Sequence, residues 1–130
     1  MNGRQKLDAQ LEAEVNLLHA HVCQALADPK RILILYALAD EPRYVSELAD
    51  YLDTPQSTVS RHLKVLRDQS LVLTERSGSS VRYSLSDRRV IDALDLLRGV
   101  LVGALTQQAQ LAHAVSAVPA APPAAPASVD

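Results

Sequence analysis

Two short helical patterns stand only two residues apart in this chain, and no other feature of the sequence limits the fold as much. In "VSELADYL" (residues 45–52), Val45, Leu48, Ala49 and Leu52 recur at helical spacing, although no side chain at its start is suited to capping. After Asp53 the stretch "TPQSTVSRHLKVL" begins, with Thr54 placed as an N-cap and Pro55 in the first turn, where a missing N–H costs nothing. The helical pattern then runs through Leu66 to about Gln69. Helices joined by so short a link must turn sharply, which predicts a helix-turn-helix.

The second of these helices has two unlike faces. At about 100° per residue, Val59, Leu63 and Leu66 gather at one pole, and Ser57, Ser60, Arg61, Lys64 and Asp68 gather near the other. His62 lies on the boundary, as expected of a half-buried packing or hydrogen-bonding residue, and Gln56 lies nearer the apolar side. Hydroxyls and a guanidinium close to a helix N-terminus suit contact with base edges and phosphates in a major groove. Taken alone, the same pattern also fits a solvated surface helix.

The flanking residues favour the first reading. "LVLTER" and "VRYSL" are rich in β-formers and enclose "SGSS", a turn in which Gly78 can take positive φ, so a hairpin is expected with Arg76 and Arg82 at its shoulders. Residues 1–54 carry five Lys and Arg against nine Asp and Glu, residues 55–83 five against two, and residues 84–130 three against four. Positive charge is therefore concentrated where a polyanion would dock. A helix-turn-helix followed by a basic hairpin reads as a winged helix.

Further helices surround this module. Leu7, Leu11, Val15, Leu18, Val22 and Ala25 mark a first amphipathic helix, and Asp28 with Pro29 opens a second that runs to about Ala39. A long last helix is predicted from about Asp87 to near Val115, with apolar Val90, Leu94, Leu97, Leu101, Leu105 and Leu111. With four Tyr and no Phe or Trp, the core must come from aliphatic side chains, which favours helices. The expected fold is mostly α, four helices followed by a β-hairpin and a fifth helix. One winged helix-turn-helix domain should span residues 1–115, and the Ala/Pro-rich residues 116–130 should form a disordered tail. The first and last helices are more apolar than so small a domain can cover, which points to a homodimer through Leu11, Val15, Leu18, Leu97, Leu101 and Leu105. The part of each stripe nearest the fourth helix should be buried within the monomer.

In order and spacing, "ALADPKRILILYAL", "VSELADYL", "STVSRHLKVLRDQSLV" and "ERSGSSVRYSL" resemble the arsenic-repressor-type (ArsR) family of winged-helix transcriptional regulators over roughly residues 20–95. The resemblance implies a homodimer that binds a double-stranded, dyad-symmetric operator and represses transcription until an effector releases it. Carried residue by residue, it implies DNA contact by Gln56, Ser57, Ser60, Arg61 and Lys64 on the recognition helix and by Arg76, Ser79 and Arg82 in the wing.

Many members of that family bind metals through thiolates on the helix before the recognition helix, or through His and carboxylates on the last helix. This chain departs from both patterns. "VSELADYL" has no Cys, and the last helix offers only His113 beside glutamines, Asp92 and Asp95, with Asp87 at its start. A transition-metal effector would have to use His19 and Cys23, four residues apart in "HAHVC", completed by His113 from a second copy. Two other readings of Cys23 stay open, core packing and thiol redox chemistry.

Other classes find less support. The chain has no Ser/His/Asp or Cys/His set and no phosphate-cradling Gly loop, so catalysis is not expected. "VLVGAL" is far shorter than the ~20 residues of a membrane span, and a single Cys excludes an internal disulfide, so a soluble cytoplasmic protein is expected. A winged helix used only for protein assembly would carry an uncharged recognition helix and wing, unlike Arg61, Lys64, Arg76 and Arg82.

Overall fold

A computed structural model of the chain describes residues 6–117. The expected Ala/Pro-rich tail falls, from residue 118 onward, outside the described residues. Helix α1 (Ala9–Leu18) starts where Asp8 accepts a hydrogen bond from the Gln10 backbone N–H. It leads into a π-helical turn, His19–Cys23, in which the Gln24 N–H reaches back five residues to the His19 carbonyl. Helix α2 (Pro29–Asp40) is capped by Asp28, whose Oδ1 accepts from the Lys30 N–H at 2.8 Å, and has Pro29 in its first turn as the sequence predicts.

The helix-turn-helix is formed by α3 (Val45–Tyr51) and α4 (Gln56–Asp68). Glu47 reaches back to the Tyr44 N–H at 2.8 Å and satisfies the start of α3, which has no capping side chain of its own before it. At its end, the Thr54 N–H bonds the Ala49 carbonyl and the Asp53 N–H bonds the Asp50 carbonyl, with Asp53 at φ 49°. This is a Schellman motif with aspartate in the left-handed position usually given to glycine. Helix α4 ends in the same way: Leu71 N–H bonds the Leu66 carbonyl, Ser70 N–H bonds the Arg67 carbonyl, and Ser70 sits at φ 60°.

Thr54 does not cap α4. Pro55 occupies the N-cap position, and the Thr54 hydroxyl faces inward, donating to the Leu52 carbonyl at 2.9 Å and accepting from Lys30 Nζ at 2.7 Å. A buried hydroxyl needs both partners, and here they tie α2 to the turn.

The hairpin is β2 (Val72–Ser77) with β3 (Ser80–Leu85), in a register that pairs Ser77 with Ser80 and leaves Gly78 and Ser79 as the turn. Gly78 takes φ +63°, which fits a two-residue hairpin turn. A third strand not expected from the sequence, β1 (Arg43–Tyr44), pairs antiparallel with β3 and gives the order β1-β3-β2. Helix α5 (Arg89–Ala117) follows, and Asp87 accepts from the Arg89 N–H at its start.

The core is aliphatic. Ile34 and Leu35 of α2, Leu48 of α3, Val59, Leu63 and Leu66 of α4, Val72 of β2 and Ile91 of α5 are fully buried. By contrast α1 buries none of its side chains. Burial on the stripe of the first helix is confined to its end, within and beyond the π turn, where Val22 is half-buried and Ala25 buried. Among the described residues, chain contacts divide the molecule after Asp92, into a unit that holds the winged helix-turn-helix and one that holds most of α5. Among the described residues no helix is long and apolar enough to cross a membrane.

Candidate nucleic-acid interface

Helix α4 buries Val59, Leu63 and Leu66 and thereby turns Gln56, Ser57, Ser60, Arg61 and Lys64 outward, all five exposed. Arg67 is exposed as well, and its place seven residues after Ser60 puts it on the same side. That periodicity was the available signal for a residue absent from the predicted set. Lys64 Nζ lies 2.9 Å from Asp68 Oδ2, one turn on, and Arg61 donates to the Thr58 hydroxyl at 3.3 Å. Both cations are held by weak partners that a phosphate can displace.

In the wing, Arg76 and Ser79 are exposed and Arg82 is half-buried. Arg82 stands opposite Glu75 in the β2–β3 register and bonds its carboxylate at 3.1 Å. An open cleft of about 330 Å³ lies between the helix-turn-helix and the wing, lined by Tyr44, Val45, Ser46, Gln56, Ser80 and Val81. Gln56 and Ser80 share this cleft, which joins the start of the recognition helix to the wing. Tyr44, Ser46 and Ser80 were not among the predicted residues; the pairing of β1 with β3 sets Tyr44 beside the wing.

On its other flank α4 borders a second cleft, of about 250 Å³, lined by Arg31, Thr58, Arg61, His62 and Val65. His62 is half-buried as predicted. Its Nδ1 lies 3.3 Å from Arg31 Nη1, and its Nε2 lies 4.0 Å from Asp28 Oδ2.

The structure corrects one reading of Cys23. Cys23 is exposed, so core packing in its own chain is not its role. The reason is that the π turn, like α1, buries none of its side chains. Among the described residues no three or more His, Cys, Asp or Glu side chains gather as a cation site.

Comparison with known proteins agrees with this geometry. Residues 28–74 match the family described as "Bacterial regulatory protein, arsR family". The chain is 40% identical over 95 residues to the HTH-type transcriptional regulator NmtR of Mycobacterium tuberculosis, covering 73% of this chain and 79% of the relative. It is 45% identical over 75 residues to the HTH-type transcriptional repressor SmtB of the same species, covering 55% of this chain and 56% of that one. A solved homodimeric winged helix-turn-helix DNA-binding domain from Mycobacterium bovis superposes with a TM-score of 0.65 at 27% identity, covering 82% of this chain and 95% of that one. These relatives are regulators of transcription rather than enzymes. A recognition helix with an outward polar and basic face, a basic wing beside it and this set of relatives lead to one conclusion: the chain belongs to the arsR family of bacterial regulatory proteins and is a DNA-binding transcriptional regulator.

Proposed function

We propose that the chain is a cytoplasmic homodimeric repressor that lays α4 of each copy in a major groove of a dyad-symmetric operator, with the wings on the flanking backbone. The observation that carries this reading is the division of α4, whose buried pole is fixed in the core while Ser57, Ser60, Arg61 and Lys64 face outward beside the wing. In it, Arg61 reads a base or a phosphate, Lys64 contacts phosphate, and Ser57, Ser60 and Gln56 donate or accept at base edges and backbone. Arg76, Ser79 and Arg82 meet the backbone or the minor groove.

The homodimer is supported by apolar side chains that the single chain leaves uncovered. Leu11, Val15 and Leu18 of α1 are 46–50% exposed, and Leu97, Leu101 and Leu105 of α5 are 54–63% exposed. Two copies on a two-fold axis would set their recognition helices about 34 Å apart, one turn of DNA.

Release by an effector belongs to the same reading. His19 and Cys23 supply two donors from one chain, and zinc-type sites need three or four. These donors do not by themselves fit a metal, so a metal effector would need His113 of a second copy.

The test is titration of the full chain against DNA from upstream of its own gene and against scrambled DNA, over a range of salt. Preferential binding to the first, falling steeply with salt, is expected. Equal weak binding to both would favour a protein-docking winged helix.

A further inference from the structure

We propose that the cleft between α2 and α4 seats one phosphodiester of the operator backbone, with Arg31 as its principal ligand. This rests on the DNA-binding reading and adds to it a contact from a helix outside the helix-turn-helix and the wing.

The cleft is lined by two guanidiniums, a threonine hydroxyl, an imidazole and the apolar Val65, with no carboxylate in its wall. Arg31 is held in place from behind. Its Nε donates to the Ala25 carbonyl at 2.6 Å, its Nη2 to the Gln24 carbonyl at 3.2 Å, and its Nη1 lies 3.3 Å from His62 Nδ1, an acceptor when the imidazole carries its proton on Nε2. Among the described residues these contacts engage three of the five N–H donors of the guanidinium and leave two for a ligand. A half-buried arginine fixed in this way loses little side-chain freedom when it binds, and its planar fork matches a phosphate better than an ammonium does.

The position also fits. Thr58, Arg61, His62 and Val65 are spaced three and four residues apart and form one stripe of α4, beside the outward face of Ser57, Arg61 and Lys64. Gln56 stands on the opposite flank, in the cleft shared with the wing. A helix about as wide as the major groove has a sugar–phosphate strand on each side, so a cleft on each flank of α4 lies where a strand passes. Arg61 borders both the outward face and the Arg31 cleft, and the Thr58 hydroxyl that accepts from it has its own hydrogen to donate.

The experiment compares wild type with Arg31→Gln and Thr58→Val on operator and scrambled duplexes across salt, with thermal unfolding to check each fold. Thr58→Val keeps side-chain shape should Arg31→Gln loosen the Gln24 and Ala25 carbonyls. Arg31→Gln is expected to cost about 10-fold on both duplexes and to lower the salt slope by about 1. A set of operators carrying a single neutral methylphosphonate should contain one position that weakens wild type and is silent in both variants. Unchanged affinity and slope in Arg31→Gln, while Arg61→Ala and Lys64→Ala still weaken binding, would overturn the seat and leave the DNA reading standing. A wild type with no salt-dependent binding to any duplex would overturn the DNA reading itself. Inorganic phosphate titrated into the free protein should show no saturable binding; saturable binding abolished by Arg31→Gln would assign the cleft to a free oxyanion and overturn the phosphodiester.

Discussion

His21 Nδ1 lies 2.8 Å from Gln69 Oε1, joining the π turn to the residue that caps the recognition helix. The two are 48 positions apart in sequence, and the contact is exposed. A solvated neutral hydrogen bond contributes about 0.5–1.5 kcal/mol at most. His21→Ala and Gln69→Ala should each destabilise within that range, and the double variant should lose less than their sum. Chemical denaturation of the four proteins measures the coupling, and strict additivity would mean that the bond does not persist in solution.

Arg61→Ala should weaken operator binding by about 1–3 kcal/mol if the guanidinium reads a base, and should relax specificity at that base pair. Lys64 is balanced by Asp68 at 2.9 Å. Lys64→Ala should therefore weaken all DNA sequences alike and flatten the salt slope, whereas Asp68→Asn should strengthen binding by freeing the ammonium and removing a like charge from the DNA-facing side. Anisotropy titrations at several salt concentrations distinguish these, and weaker binding by Asp68→Asn would count against the assignment of this face.

Asp53 and Ser70 close the two helices of the helix-turn-helix at φ 49° and 60°. A residue with a Cβ pays roughly 1–2 kcal/mol in the left-handed region, less for Asp because its short polar side chain bonds locally. Ser70→Gly should therefore stabilise the fold, by about 0.5–1 kcal/mol once the greater freedom of glycine in the unfolded chain is counted. Asp53→Gly should gain less. Urea midpoints at constant slope would show it.

Leu101→Glu and Leu105→Glu place charges on the exposed apolar side of α5. Each should yield a folded monomer by light scattering and reduce operator affinity at least 10-fold, because one recognition helix then works without its twin. A dimer of unchanged stability in both variants would move the interface elsewhere.

Asp87 accepts hydrogen bonds from the Arg89 side chain and backbone N–H, which hold its carboxyl at about 2, below the ordinary value of 3.8. A depressed acid adds stability that is complete above its unfolded pKa and vanishes as pH falls through its folded one. Asp87→Asn should thus melt below wild type at pH 5, and the difference should shrink between about pH 4 and 2. A difference in melting temperature that stays constant across that window would show that Asp87 keeps its ordinary pKa.

Much of the architecture could be read directly from the residues. Asp28 and Pro29 start α2 as expected, Val59, Leu63 and Leu66 are the buried pole of α4, and Gly78 turns the hairpin. These are decisions within a few residues, where capping, period and allowed φ operate without help from the rest of the chain. The outward residues of α4 followed from the same periodicity, since fixing one pole of a helix fixes the other.

The tertiary structure decided what depended on partners distant in sequence. Two residues are too few for β1 to show a strand period, and it exists only because β3 pairs with it. Thr54 carried a good N-cap signal, yet its hydroxyl is drawn inward by Lys30, twenty-four residues earlier. Cys23 has the composition of a core position but meets no core of its own chain, because α1 and the π turn bury nothing there. No sequence pattern marks Arg31, and the carbonyls of Gln24 and Ala25 and the imidazole of His62 make it a fixed donor beside the recognition helix. Local propensity is written residue by residue, whereas the partner a polar side chain finds depends on which distant segment the folded core brings beside it.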